Sequence, residues 1–363
     1  MIDNRRKRIA VVLPSFDIGG TENMVSSLAM YIDKNKYEVL VISLFYPLNT
    51  HVQKSIESSG VEIAYGMKGK VPISKVFINI YKELVNFRPD LIHSNMYAFL
   101  FVTPYLLTHK VKLLHTVHNK PINEFKDKYK RVISILYKMN KAVPVAISHT
   151  VEKEMKELYP SLKRIERVYN PVDTNKFYTD RTADSDGDVI FIKVARLMKQ
   201  KNHTLLINAF ADAQKIVKKI QLWLVGDGEL RQDLEKQVKQ LGIENKVLFI
   251  GNVSNVRDYL ADSDVFVMSS DYEGLPLSLL EAMASGLPII STEVGGVADI
   301  VTNNGILVSP GDRKALTEAI IELATNKYKR QLFGKCSYEN SKQYDCAEFI
   351  KQYEALYDKY CVQ

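Results

Sequence analysis

Short apolar runs alternate with longer stretches of helical periodicity along almost the whole chain, and few folds accommodate that pattern. Ile9–Leu13, Val39–Leu44, Val61–Ala64, Asp90–His93, Lys112–Val117 and Val143–Ile147 read as strands with helical segments between several of them. Parallel neighbours need such crossovers, so the alternation predicts a doubly wound parallel sheet. From Asn170 to Asp188 the apolar pattern lapses, and the stretch after Thr179 is rich in Thr, Asp, Ser and Gly. It then resumes: Val189–Ala195, Gln221–Val225, Val247–Ile250, Val265–Met268 and Pro288–Thr292 read as strands, His203–Val217 and Gly228–Leu241 as helices. The expectation is an α/β chain of two doubly wound, Rossmann-like domains, 1–170 and 189–345, joined by a linker at 171–188. A final helix, about 346–363, is expected to cross back to the first domain. Sheets of this kind bind ligands beyond the carboxyl ends of their strands, so the chemistry is sought in the loops there, around one central cleft.

Composition narrows the function. A chain of 363 residues with 46% hydrophobic and 25% charged side chains buries a large core and is not disordered. No apolar run approaches the roughly 18 residues of a membrane span; the longest candidate, Met96–Thr108, contains Pro104. The opening basic residues lead into an apolar run too short for a secretory signal, so a cytoplasmic protein is expected. Its three cysteines, Cys336, Cys346 and Cys361, have neither zinc spacing nor a disulfide framework. Residues 1–186 carry 28 basic and 19 acidic groups, a balance of 28 − 19 = +9, whereas 187–363 carry 21 and 23, a balance of −2. That asymmetry implies an anionic partner for the first half, nucleic acid or an anionic lipid surface.

Three stretches carry recognisable chemistry. Gly19-Gly20 precede an amphipathic helix; they let backbone N–H groups approach a phosphate, or they form a plain tight turn. The spacing is not Gly-x-Gly-x-x-Gly, which disfavours a dinucleotide oxidoreductase. Arg196 and Lys201 flank the end of a strand and suit a diphosphate, or are ordinary surface cations. Most informative is Glu273-Gly274-Leu275-Pro276, running into a helix that holds Glu281 and ends before Gly286. Two carboxylates 281 − 273 = 8 positions apart, one in the entry loop and one in the helix, suit two parts of an extended ligand better than a shared metal. Glu281 lies among Leu279, Leu280, Ala282, Met283 and Ala284, where a carboxylate wants a partner.

The order Gly-Gly-Thr-Glu, Arg-Leu, Lys-Gln-Lys-Asn, Gly-Asp-Gly and then Glu-Gly-Leu-Pro-Leu-Ser-Leu-Leu-Glu-Ala-Met-Ala-Ser-Gly-Leu-Pro resembles the retaining family-4 glycosyltransferases of GT-B fold, of the bacterial cell-surface polysaccharide type. The resemblance implies that Glu273, with the backbone of Gly274 and Leu275, contacts the donor sugar and Glu281 the ribose hydroxyls. Arg196 and Lys201 would hold the diphosphate, with Gly19 and Gly20 facing it from the other domain. Gly226 matches the family's glycine turn, and Val253 closes the segment whose backbone meets the base; either is also readable as a plain turn. His118 matches the histidine near the reaction centre, although Asn119 departs from the acidic or glycine residue of many relatives. A structural histidine is the other reading. His115 is expected on the same strand face, and His93 resembles a further cleft-lining position.

The same resemblance implies a metal-independent transferase with no cofactor, moving a hexose-type sugar from a nucleotide diphosphate, UDP by resemblance, to a lipid-linked saccharide with retention of configuration. Capsular or exopolysaccharide synthesis is the expected setting. The alternatives are a nucleotide-sugar epimerase of the same architecture and an inactive sugar-nucleotide binding protein. Three Asp-x-Asp strings, at 184–186, 186–188 and 262–264, lie in the linker or at the amino end of a strand and are not read as metal sites. Between Lys120 and Lys141 stand seven basic and two acidic residues interleaved with Val132, Ile133, Ile135, Leu136 and Tyr137. This reads as an interfacial helix on the inner face of the plasma membrane, or as a solvated helix with one core face. Nucleic acid is not expected, since no binding module is recognisable.

Overall fold

The computed structural model describes residues 5–17, 19–67, 69, 71–124, 127–179 and 187–361. The chain divides into two compact units, Met1–Pro171 with Cys346–Gln363, and Val172–Asp345. In the first, seven strands form one parallel sheet: β1 (Lys7–Leu13), β2 (Tyr37–Ser43), β3 (Glu62–Tyr65), β4 (Leu91–Asn95), β5 (Lys112–Val117), β6 (Ala142–Ala146) and β7 (Glu166–Arg167). Their order is β3-β2-β1-β4-β5-β6-β7, doubly wound about β1. The second unit holds β8 (Val189–Val194), β9 (Ile220–Val225), β10 (Val247–Gly251), β11 (Val265–Met268), β12 (Ile289–Thr292) and β13 (Gly305–Val308), in the order β10-β9-β8-β11-β12-β13. Central strands are buried on both faces and read as continuous apolar runs, which is why the sequence marks them so clearly.

Two strands escape the sequence reading, Glu166–Arg167 and Gly305–Val308, both at a sheet edge where burial is partial and the apolar run short. The expected linker also needs correction. Val172 already pairs with Asp345, and Thr174–Phe177 form a short helix whose N-cap, Asp173, accepts from the Lys176 N–H at 2.9 Å. What looked like a break was a capping signal. Residues 180–186, with the Asp184 to Asp186 string, lie outside the described residues. Asp188 and Asp264 serve the amino ends of the strands: Asp188 pairs with Lys246 at 2.8 Å, and Asp264 accepts from the Ile190 N–H at 2.8 Å.

The helix Cys346–Tyr360 belongs to the first unit. Phe349, Ile350, Tyr353, Leu356, Tyr357 and Tyr360 recur at helical spacing and join the core built on Ile9, Val11 and Leu13. His93 ties this helix to the sheet: Nδ1 lies 2.8 Å from the Tyr357 hydroxyl, Nε2 lies 2.8 Å from Thr116 Oγ1, and its ring stacks on Tyr353. His93 is therefore a core histidine with both nitrogens engaged, not a cleft-lining residue. At the helix end Lys7, Lys36 and the Tyr37 hydroxyl converge on Asp358. Burial works against that carboxyl, yet these partners hold it down at about 2.

Candidate active site

The second unit gathers most of the candidate residues. β8 leads into a turn over 195–202 whose shape depends on two glycines after β9. Gly226 has φ +125°, and a Cβ there would stand 2.2 Å from the Ala195 carbonyl oxygen; at Gly228 it would stand 2.4 Å from that of Leu197. Only glycine permits so close a backbone approach. The Leu197 N–H donates to Asp227 O at 3.0 Å, and the Gly226 N–H to Gly251 O at 2.9 Å. Gly226 is thereby joined to the end of β10, two residues before the partly buried Val253.

At the far end of the turn, Lys201 Nζ lies 2.7 and 2.8 Å from the two carboxylate oxygens of Glu273. Ser270 Oγ donates to the same carboxylate at 2.7 Å. Glu273 is only 6% exposed, so its charge is tolerated because a cation and a hydroxyl satisfy it. The loop is fixed to the turn by Gln200 Nε2 on Tyr272 O at 2.8 Å, Asp271 N–H on Gln200 O at 2.9 Å, and Asn202 Nδ2 on Asp271 Oδ1 at 2.7 Å. Gly274 and Leu275 are buried. The Gly274 carbonyl accepts from the Gly296 N–H at 2.7 Å. Gly295, with φ +54°, passes so near the Glu273 carbonyl that a Cβ would lie 1.9 Å from its oxygen.

Pro276 caps the helix Leu277–Ala284 from just outside it rather than lying in its first turn. Inside that helix Glu281 is partly buried, and its carboxylate has no hydrogen-bond partner among the described residues. Burial pushes its carboxyl up to about 7, against the pull of Lys176 in the helix packed alongside. Gly286 follows the helix with φ +72°, the left-handed stop the sequence suggests. Arg196 is exposed and its guanidinium has no partner among the described residues.

In the first unit, Gly19 is the N-cap of the helix Gly20–Tyr31. A Cβ on it would stand 2.6 Å from Glu22 Oε2, so a carboxylate already shares the helix end expected to meet a phosphate. Burial pushes the Glu22 carboxyl up to about 7, against its own backbone N–H and with Asp17 adding to the rise. His118 follows β5, is buried, and places Nε2 2.9 Å from Asn95 Oδ1. Burial lowers its imidazole to about 3, which keeps the ring neutral. His115 does not share its face: three positions on a pleated strand point opposite ways, and His115 Nδ1 meets Ser94 Oγ at 2.9 Å while its ring packs edge-on against Phe99.

The structure thus joins Lys201 to Glu273 directly, and seats Gly226 against the turn that carries Arg196. Several supporting residues have weak sequence signals. Ser270 lies within the motif but hydroxyls are common there. Asn95 and Glu22 become visible only once partners are known. Lys193 is the exception, since a lysine inside an apolar strand is itself a signal. Among the described residues no group of three or more His, Cys, Asp or Glu side chains is placed to hold a metal.

Residues 18–176 match the family described as Glycosyltransferase Family 4, and residues 175–340 that described as Glycosyl transferases group 1. The chain is 34% identical to N-acetyl-alpha-D-glucosaminyl L-malate synthase of Bacillus anthracis over 59% of each protein. It is 26% identical to the UDP-Gal:alpha-D-GlcNAc-diphosphoundecaprenol alpha-1,3-galactosyltransferase of Escherichia coli over 86% of each. Its fold matches Anabaena HepE, solved in complex with UDP and glucose, with a TM-score of 0.86 at 20% identity, over 98% of this chain and all of that one. The two family matches run together from residue 18 to residue 340, and the chain belongs to the family-4 glycosyltransferases of GT-B fold.

Proposed function

We propose that this enzyme transfers a hexose-type sugar from UDP to a lipid-linked saccharide acceptor, with retention of configuration, in capsular or exopolysaccharide synthesis. One observation carries the reading. In the second unit a satisfied carboxylate, Glu273, and one with no hydrogen-bond partner among the described residues, Glu281, stand in one loop-and-helix segment beside a turn carrying Arg196 and Lys201. Paired ribose hydroxyls supply the donors that Glu281 lacks, Glu273 orients the sugar, and the cations take the diphosphate. Breaking the bond from the anomeric carbon to the phosphate oxygen leaves positive charge on the sugar and negative charge on UDP. Preorganised cations offset the latter, an effect worth several kcal/mol per donor. The acceptor hydroxyl attacks from the face the diphosphate leaves, and its proton passes to a phosphate oxygen. No enzymic nucleophile and no metal are invoked.

The names of the relatives support this choice of donor and acceptor: the Escherichia coli enzyme is named for UDP-Gal and a diphosphoundecaprenol acceptor, and HepE was solved with UDP. No helix among the described residues is long and apolar enough to cross a membrane. In the proposed reaction the lipid-linked acceptor is met at the cytoplasmic face of the membrane. The test incubates the protein with UDP-sugars and undecaprenyl-diphosphate-linked saccharides, with and without EDTA. A glycosylated product of retained configuration, formed equally in EDTA, is expected. An epimerised donor, or UDP binding without turnover, overturns the transferase reading; strong loss of activity in EDTA overturns the metal-free one.

A further inference from the structure

Lys193, the second-last residue of β8, is 1% exposed. Its ammonium donates to Ser269 Oγ at 2.7 Å and to the backbone carbonyl of Lys201. Ser269 Oγ passes the connection on to Asn202 O at 2.8 Å. A single buried charge therefore ties the 201–202 segment to the loop after β11. That segment carries the ammonium which spans both oxygens of Glu273.

The fold itself does not demand a lysine here. Its strand neighbours Phe191 and Ile192 are apolar and buried, and its register partner on β9 is Leu224. An unbranched apolar side chain suits that environment at lower desolvation cost. The charged groups facing Lys193 are Lys201 from the turn, and Asp271 and Glu273 from the loop after β11. His203 comes from the helix His203–Ile216; it is buried, and neither ring nitrogen has a hydrogen-bond partner among the described residues. Burial, Lys193 and Lys201 hold its imidazole down to about 2, so it stays neutral. A costly charge is thus kept directly behind the Lys201–Glu273 pair.

We propose that Lys193 is a positioning residue of the donor site: it sets the Lys201 turn, and its charge reinforces Lys201 when a nucleoside diphosphate binds. The proposal rests on the reading of Arg196 and Lys201 as the diphosphate site. It has a consequence that a packing role lacks. Burial brings the Lys193 ammonium down to about 7, with Lys201 adding to the drop against the pull of Glu273 and Asp271. An arriving anion favours the protonated form, so UDP binding near neutral pH takes up a fraction of a proton, and affinity falls as pH rises above about 7.

Calorimetric titration with UDP in buffers of different ionisation heat, for the wild type and Lys193→Met, measures this directly. UDP's own phosphate ionisation is common to both proteins, so the difference between them is the signal. The Met variant is expected to bind UDP about tenfold more weakly, to lose the extra proton uptake, and to melt no lower than the wild type. Ser269→Ala keeps the charge, so it should keep the uptake while weakening UDP binding. Wild-type affinity and proton uptake in the Met variant overturn the proposal; if that variant does not fold, unchanged UDP affinity in Ser269→Ala does so. A wild type that binds no UDP instead sinks the donor reading. A crystal structure of the Met variant then decides the role of Lys193: a displaced Lys201 supports it, an unmoved Lys201–Glu273 pair overturns it.

Discussion

Glu273 and Glu281 stand in opposite chemical situations within one short segment. The first receives two hydrogen bonds from Lys201 and one from Ser270; the second has none from the described residues, and burial holds its carboxyl up near 7. Glu281→Ala should therefore weaken UDP binding by about tenfold, the loss of one charge-assisted contact, with little effect on stability. Glu273→Ala should mainly lower turnover, because it leaves Lys201 unpaired and the sugar unoriented. Titrating both variants with UDP separates them; unchanged UDP affinity in Glu281→Ala defeats the ribose assignment. This spacing was readable in the sequence because a helix start and stop, Pro276 and Gly286, frame the two residues. Lys201 was readable as a cation, but its bond to Glu273 was not: which of several lysines reaches a given carboxylate is settled by turn geometry. Gly19 shows the same limit, since the pair Gly19-Gly20 looks like a phosphate loop until Glu22 is seen folded over it.

At the scale of elements, turns do the positioning. Gly295 lets one loop lie against the Glu273 carbonyl, so Gly295→Ala combines a left-handed backbone with a Cβ 1.9 Å from that oxygen. It should cost on the order of 3 kcal/mol or more and most of the transferase activity. Gly311→Ala, at φ +79° with nothing within 4 Å, is the control and should cost about 1 kcal/mol; equal urea midpoints for the two variants defeat the steric argument. The basic stretch 120–141 likewise resolves into elements, Pro121–Glu124 and Asp127–Lys138. Ile133, Leu136 and Tyr137 enter the core, whereas Arg131, Ile135, Lys138 and Met139 are exposed at the spacing of one helical face. The core face and the basic apolar face thus coexist, where the sequence offered them as alternatives. At about 1 kcal/mol per basic residue near an anionic leaflet, flotation with anionic liposomes is expected, fading with salt. Changing Lys126, which lies outside the described residues, with Lys128, Lys130 and Arg131 to Ser should abolish it, and equal flotation of both proteins rejects the basic stretch as the docking element. The edge strands Glu166–Arg167 and Gly305–Val308 and the short helix Thr174–Phe177 were missed for a common reason: each is at most four residues long and only partly buried, too little pattern to stand out from a loop.

For the whole molecule, the decisive feature is that the first unit is discontinuous in sequence. A stop after Asp345 removes Phe349, Tyr353 and Tyr357, each buried, and leaves His93 facing water or a void. Losing buried aromatics costs roughly 3–5 kcal/mol each, more than a unit of this size can spare. Residues 172–345 alone should fold cooperatively, 1–171 alone should not, and 1–171 joined to 346–363 by a flexible linker should regain its melting transition. A cooperative transition in 1–171 alone contradicts this. The helical period of the final stretch was legible, and its return to the first unit was expected from the sequence; the His93 and Asp358 contacts that hold it were not, because they span more than 260 positions. On the ribosome the arrangement imposes an order. The second unit has its whole sequence once residue 345 has emerged, while the first, although synthesised earlier, must wait with an exposed apolar groove until residue 360 is available. Early folding of the amino-terminal half is therefore provisional, and chaperone dependence during synthesis should concentrate there rather than on the second unit.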